Sequence, residues 1–167
     1  MTDATHPVTG DLCDAHKTDT DGAFRVLPPI FRDYGQRIRF AGEVATVKCF
    51  EDNSFVKAAL ESPGAGRVLV VDGDGSLQRA LVGGNIAAAA AKNGWAGVVV
   101  DGCVRDSAEL AACDIGIRAI ALCPMPTERR NGGTQGVMLH IRGVRVAPGD
   151  WLVADEDGIV VMPARPG

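Results

Sequence analysis

Two short runs of apolar residues limit most strongly what this chain can fold into. Residues 67–72 and 97–101 are apolar runs rich in valine, and each run has glycine beside it and ends on an aspartate. An uninterrupted apolar run of this length is typical of a strand covered on both faces, as in a parallel sheet. Helix-forming segments follow both runs, and a third strand is predicted over residues 117–122. This succession predicts an α/β fold with a central, largely parallel sheet and crossover helices.

The two ends of the chain differ from the middle in composition and in the spacing of their apolar segments. Beyond Pro124, short apolar segments alternate with Gly, Pro and Asp turns, which predicts a β-rich C-terminal third. Residues 1–22 are polar, so we expect a loosely packed lead-in with a short helix near residues 12–16. The chain has 167 residues and a mass of 17.4 kDa, which fits a single domain over residues 1–167.

Charge and cysteine content exclude several functional classes. The net charge is -4 with no basic run, which argues against direct binding of nucleic acid. The N-terminus has no signal-peptide pattern, and the longest uncharged stretch, residues 80–91, is too short and too glycine-rich to span a bilayer. Five cysteines without a C-x-x-C pair favour buried, reduced thiols. We therefore expect a cytoplasmic protein with no membrane partner.

The first candidate site is the turn Gly83-Gly84-Asn85-Ile86 before an alanine-rich helix. Free N–H groups and the positive end of the helix dipole favour an anion there, and two glycines let a ligand approach the backbone. We expect Asn85 to cap this helix. A glycine pair before a helix also occurs as a plain turn with unusual backbone angles, and this alternative stays open.

The second candidate site is Arg105-Asp106, directly after the second apolar strand. Ligands in open α/β sheets bind at the carboxyl ends of the strands. Arg105 offers two parallel hydrogen bonds to a carboxylate, and Asp106 offers oxygen ligands to Mg²⁺ or Mn²⁺. Asp106 and Glu109 also match a capping box for a helix over residues 107–112, which is a purely structural alternative.

Five segments in this order resemble the RraA-like family over residues 10–165. They are FAGEVATVKCFEDN at 40–53, ALVGGNIA at 80–87, NGWAGVVVDGCVRD at 93–106, DIGI at 114–117 and PGDWLVADEDGIVV at 148–161. The family includes 4-hydroxy-4-methyl-2-oxoglutarate aldolases, which also decarboxylate oxaloacetate, and the ribonuclease E inhibitor RraA. The resemblance implies a swivelling β/β/α domain, assembled as a ring-shaped homotrimer with the active site between subunits.

The same resemblance assigns roles to the two candidate sites and joins them into one. It implies that Arg105 binds the substrate carboxylate and that Asp106 holds the divalent metal, Mg²⁺ or Mn²⁺, both acting as catalytic residues. The small 2-keto acid substrate would contact Arg105 and the helix start formed by Gly83, Gly84, Asn85 and Ile86.

The function implied is a divalent-metal-dependent lyase, in the manner of a class II aldolase. It would cleave 4-hydroxy-4-methyl-2-oxoglutarate to pyruvate and decarboxylate oxaloacetate. The alternative is a non-catalytic regulator that binds and inhibits ribonuclease E. Many active relatives carry an acidic residue where Gly84 stands, and some add one from a C-terminal extension, whereas this chain ends at Gly167. We therefore expect catalysis to be weak or lost.

Overall fold

The computed structural model describes residues 6–167, so the first five residues of the expected lead-in lie outside the described part. The helices there are α1 (Thr9–His16), α2 (Ser54–Leu60), α3 (Gly84–Lys92) and α4 (Ser107–Ala111). The strands are β1 (Arg25–Val26), β2 (Arg32–Asp33), β3 (Phe40–Lys48), β4 (Val68–Asp72), β5 (Ala80–Val82), β6 (Gly97–Val104), β7 (Gly116–Leu122), β8 (Thr134–Gln135), β9 (Leu139–Ile141), β10 (Val144–Val146), β11 (Trp151–Ala154) and β12 (Ile159–Met162).

The centre of the fold is a parallel block of the strands β3, β4, β6 and β7. Every residue of β4 and β6 is buried, as their apolar composition predicts. Helices α2, α3 and α4 pack over one face of this block and enclose one hydrophobic core with it. The predicted parallel sheet with crossover helices is therefore confirmed.

A second core lies on the other side of the sheet, where the C-terminal third contributes short strands. Strands β11 and β12 extend the sheet antiparallel from β3, and β9 and β10 form a separate hairpin. Apolar side chains of these strands pack together against Val68, Val70 and Val99 of the central strands. The central sheet therefore has helices on one face and short strands on the other. This arrangement confirms the predicted α/β class and the β/β/α order of layers.

Phe40 fixes how the two central strands begin. A Cβ added at Gly97 or Gly116, the first residues of β6 and β7, would come within 2.4 or 2.1 Å of the Phe40 ring. Both glycines are therefore needed for the ring to lie against the backbone, and Phe40 is only 1% exposed. This contact sets the start of the strands that lead to the candidate site.

Helix α1 begins at Thr9, earlier than the sequence predicts, and is bonded to the body of the protein. The Thr9 N–H and hydroxyl donate to the two carboxylate oxygens of Asp155 at 2.8 and 2.7 Å. All five cysteines are free, and Cys49 and Cys103 are fully buried. Among residues 6–167, no helix is both long and apolar enough to cross a membrane.

Candidate functional site

The two candidate segments of the sequence lie side by side at neighbouring strand ends. Gly83 follows β5, Arg105 follows β6, and these strands pair in parallel. The Arg105 N–H donates to the carbonyl oxygen of Val82 at 3.0 Å, which joins the two turns. The structure thus brings the helix start and the Arg-Asp pair together, as neighbouring carboxyl ends of a parallel sheet must be.

Asp106 crosses from its own turn to the start of α3. Its Oδ2 atom accepts a hydrogen bond from the Gly84 N–H at 2.9 Å. The residue is left-handed, with φ 62° and ψ 47°, and its side chain makes no capping bond to α4. The capping-box alternative with Glu109 is therefore wrong, because the carboxylate points to another helix. Aspartate tolerates this backbone conformation better than most residues.

The start of α3 leaves backbone donors free for a ligand. Helix α3 begins at Gly84 with Gly83 in the capping position, so the expectation that Asn85 caps it is wrong. Asp106 accepts from the Gly84 N–H, and the Ala87 N–H donates back to the Gly83 carbonyl at 3.0 Å. The N–H groups of Asn85 and Ile86 donate to no other group of residues 6–167. These donors and the helix dipole favour an anion here.

Close approach to the backbone explains both glycines of this turn. A Cβ at Gly83 would lie 2.8 Å from Oδ2 of Asp106 and 3.3 Å from Cγ of Arg105. A Cβ at Gly84 would lie 1.8 Å from Oε2 of Glu109. The Glu109 carboxylate therefore occupies the space in which a side chain at position 84 would begin. The sequence predicts no carboxylate there, and the structure supplies one from α4.

These segments line a cavity of about 90 Å³ that opens to solvent. A cavity this small and open suits a small acid rather than a nucleotide. Arg105 is half-buried, and its Nη1 atom donates to the Pro124 carbonyl at 3.3 Å. Its other side-chain donors have no acceptor among residues 6–167. The lining residues are Asn53, Ala80, Gly83, Gly84, Asn85, Ile86, Arg105, Asp106, Pro126, Thr127 and Arg129.

Comparison with known proteins identifies the family. The family model described as RraA-like, Aldolase/RraA, matches residues 9–161. The chain belongs to the RraA-like family. A relative from Albidiferax ferrireducens, proposed to be a 4-hydroxy-4-methyl-2-oxoglutarate aldolase, is 64% identical over 165 residues, covering 94% of this chain and 95% of its own.

Solved structures agree on the RraA-like fold and differ in the activities named for them. The RNA-processing inhibitor RraA from Thermus thermophilis superposes with a TM-score of 0.91 at 46% identity, covering 97% of this chain and 96% of its own. A Geobacillus kaustophilus protein described as an S-adenosylmethionine:2-dimethylmenaquinone methyltransferase has a TM-score of 0.88 at 43% identity, covering 95% and 96%. The fold alone therefore does not decide the activity.

Three residues of the RraA-like cavity carry no signal in the sequence. Asn53 is 6% exposed, and its side chain makes no capping bond to α2. Its Nδ2 atom donates to the Leu81 carbonyl at 3.0 Å. Its Oδ1 atom accepts from the Thr127 hydroxyl at 2.7 Å and from Nε of Arg129 at 3.1 Å. These contacts join α2, β5 and the loop after β7, and such distant pairings leave no local pattern.

Asp52 holds the same loop from the other side. Its Oδ1 atom accepts from the Ser54 N–H and hydroxyl, and its Oδ2 atom accepts from the N–H groups of Arg130 and Gly132, each at 2.9 Å or less. Burial raises the pKa of Asp52, but these hydrogen bonds outweigh it and lower the pKa to about 2. Ionised Asp52 thus fixes the loop that carries Arg129.

Replacement of Asp52 with asparagine is expected to make stability less dependent on pH. The folded pKa of Asp52 lies below the unfolded value, so its contribution is full above about pH 4 and is lost as the pH falls towards about 2. Allowing for solvent screening, we expect the free energy of unfolding to fall by about 1–2 kcal/mol at neutral pH. Urea unfolding at several pH values measures this. A difference in free energy of unfolding between wild type and variant that stays constant between pH 6 and about pH 2.5 contradicts this prediction.

Proposed function

We propose that this protein is a divalent-metal-dependent lyase that cleaves 4-hydroxy-4-methyl-2-oxoglutarate to pyruvate and decarboxylates oxaloacetate. One observation carries the proposal: Arg105, Asp106 and the free N–H groups at the start of α3 converge on one small cavity. A guanidinium, a carboxylate and a helix start are the groups needed to hold a 2-keto acid beside a divalent cation. The name given to the Albidiferax ferrireducens relative supports the aldolase activity.

The donor set of the cavity fits Mg²⁺ or Mn²⁺. Within residues 6–167, no three His, Cys, Asp or Glu side chains are grouped so that they could hold a metal ion. Mg²⁺ needs no such group, because it keeps several waters and binds through one or two carboxylates and the substrate. Asp106 would hold it, since its Oδ1 atom accepts no hydrogen bond from the described residues. When bound, the cation supplies Lewis-acid stabilisation of charge developing on the 2-keto oxygen.

The protein's own groups bind and orient the substrate. Arg105 pairs with the carboxylate next to the keto group, and the N–H groups of Asn85 and Ile86 donate to the same anion. Gly83 and Gly84 keep the backbone clear for this approach. Among residues 6–167 no lysine lines the cavity, and the proposal includes no Schiff base. Aldol cleavage and decarboxylation both leave negative charge at one carbonyl, so one site serves both reactions.

Decarboxylation of oxaloacetate by the purified protein tests the function directly. Pyruvate formation is followed with Mg²⁺ or Mn²⁺, and the rate with free metal alone is subtracted. We expect turnover above this background that a chelator abolishes, after which 4-hydroxy-4-methyl-2-oxoglutarate is the next substrate. A rate equal to the free-metal background with both substrates refutes the lyase.

Glu109 gives the site the carboxylate that Gly84 does not provide. We expect Glu109→Ala to lower metal-dependent kcat about tenfold, which corresponds to about 1.4 kcal/mol of transition-state stabilisation. Adding Gly84→Asp to that variant is expected to restore kcat, because the new side chain enters the same space. Gly84→Asp alone displaces Glu109 and brings no gain. If Gly84→Asp alone raises kcat as much as the double change, Glu109 has no such role.

Four large apolar side chains are exposed in the segments where strands of the parallel block end. Phe50, Leu77, Leu122 and Met125 are 62, 60, 49 and 52% exposed, and all follow or end strands at the carboxyl edge of the parallel block. Exposed apolar surface of this kind is often covered by a protein partner. We propose that this edge is the subunit contact, which a mass of about three chains by light scattering would support.

Regulation of ribonuclease E is the second candidate, favoured by the likeness to the RNA-processing inhibitor RraA of Thermus thermophilis. This function would use the outer surface of the protein rather than the cavity. Inhibition of purified ribonuclease E by the wild type and equally by a cavity variant such as Arg105→Ala would support it. Turnover of a keto acid without any effect on ribonuclease E would exclude it.

A further inference from the structure

A second arginine lines the cavity and is not used by the proposed mechanism. Arg129 lies in the loop after β7 and lines the same cavity as Arg105. Its Nε atom donates to Oδ1 of Asn53 at 3.1 Å. The terminal Nη1 and Nη2 atoms donate to no group of residues 6–167. Arg129 therefore presents free guanidinium nitrogens beside the candidate substrate site.

The contact with Asn53 fixes where this guanidinium lies. Asn53 is almost fully buried, and its Nδ2 atom is bonded to Leu81, so the amide cannot rotate away without losing a hydrogen bond. The Thr127 hydroxyl donates to the same Oδ1 atom from two residues earlier in the loop. Asn53 is thus a positioning residue. It accepts a hydrogen bond from Nε of Arg129, and the Nη1 and Nη2 atoms of Arg129 stay available for a ligand.

The charges of the cavity indicate what that ligand is. Two guanidinium groups and the carboxylate of Asp106 line the cavity, and the carboxylate of Glu109 lies beside Gly84. A bound divalent cation would offset the charge of these two carboxylates and leave the charge of the two arginines for the ligand. One guanidinium pairs with one carboxylate. A monocarboxylic acid would leave Arg129 without a partner, whereas a dicarboxylic acid matches both arginines.

We propose that Arg129 binds the second, distal carboxylate of a dicarboxylic 2-keto acid and so sets substrate specificity. The assignment rests on the proposed function, which places the first carboxylate at Arg105. Selectivity for dicarboxylic over monocarboxylic acids then comes from Arg129 and from Asn53, which positions it. We expect this selectivity in binding affinity as well as in KM.

Binding of two matched acids tests this without any turnover. 2-Oxoglutarate and 2-oxopentanoate differ only in a carboxylate that replaces a methyl group, and neither carries the 4-hydroxyl needed for aldol cleavage. Calorimetry in the presence of Mg²⁺ is expected to give about 30-fold tighter binding of 2-oxoglutarate to the wild type, the effect of hydrogen bonds to a charged group. Arg129→Ala should bring this ratio close to one and leave the affinity for 2-oxopentanoate unchanged.

Two further variants separate binding of the carboxylate from general effects. Arg130→Ala removes the same charge one residue away, where Arg130 pairs with Glu128 beside a neighbouring cavity, and it should keep the full ratio. Arg129→Lys keeps the charge but loses the fixed Nε–H contact with Asn53, so an intermediate ratio is expected.

The outcomes also distinguish this inference from the proposed lyase. A wild-type ratio near one, or an Arg129→Ala variant that weakens both acids equally, overturns the role of Arg129 even if oxaloacetate is turned over. A ratio that depends on Arg129 in a protein without turnover supports dicarboxylate recognition and refutes the lyase. If neither acid binds, the role of Arg129 is overturned, and the lyase is decided by turnover alone.

Discussion

Replacement of Arg105 with alanine is expected to lower kcat/KM for oxaloacetate by about 100- to 1000-fold, mostly through KM. The guanidinium is half-buried in the cavity and keeps free donors for a carboxylate. Two charge-assisted hydrogen bonds lost together correspond to about 3–4 kcal/mol. Steady-state kinetics with Mg²⁺, corrected for free-metal decarboxylation, measure the change.

Arg105→Lys is the matched variant for this test. Lysine keeps the positive charge but cannot make two parallel bonds to one carboxylate, so we expect a loss of about tenfold. The alanine variant also removes the contact with Pro124, and its melting temperature therefore has to be compared with that of the wild type. Unchanged kcat/KM in a folded Arg105→Ala protein would remove Arg105 from the site.

Local patterns in the sequence were enough to predict the central strands and the end of helix α3. The valine-rich runs became β4 and β6, fully buried at the centre of the sheet, because few other environments accept so continuous an apolar surface. Gly94 ends helix α3 in the left-handed conformation, with φ 81°, as a glycine in that place predicts. Such features depend on a few adjacent residues and are therefore readable without the fold.

The contacts within the site could not be read in the same way. Asp106 has the spacing of a cap for α4, but pairing of β5 with β6 puts the Gly84 N–H within reach, and the carboxylate bonds there instead. Glu109 fills the space beside Gly84 for the same reason. The bond from Arg129 to Asn53 joins residues 76 positions apart. Only the resemblance to the RraA-like family pointed to a joint site.

Asp106→Asn is expected to abolish metal-dependent turnover and to weaken binding of Mn²⁺ by at least about 100-fold, with little change in stability. Asparagine keeps an oxygen that can accept the Gly84 N–H and tolerates the left-handed backbone at this position. What it loses is the negative charge that would hold the cation. Titration of Mn²⁺ followed by its electron paramagnetic resonance signal measures binding without any substrate.

Asp74→Asn is the matched control for that experiment. Asp74 is also a left-handed, exposed aspartate, with φ 55°, but it lies outside the cavity. Its replacement removes the same charge and should leave both Mn²⁺ affinity and turnover within about twofold of the wild type. Equal losses of Mn²⁺ binding in both variants would mean that the overall acidity of the protein attracts the cation. Loss of Mn²⁺ binding in Asp106→Asn alone would instead identify the Asp106 carboxylate, which bonds to the start of α3, as the metal ligand.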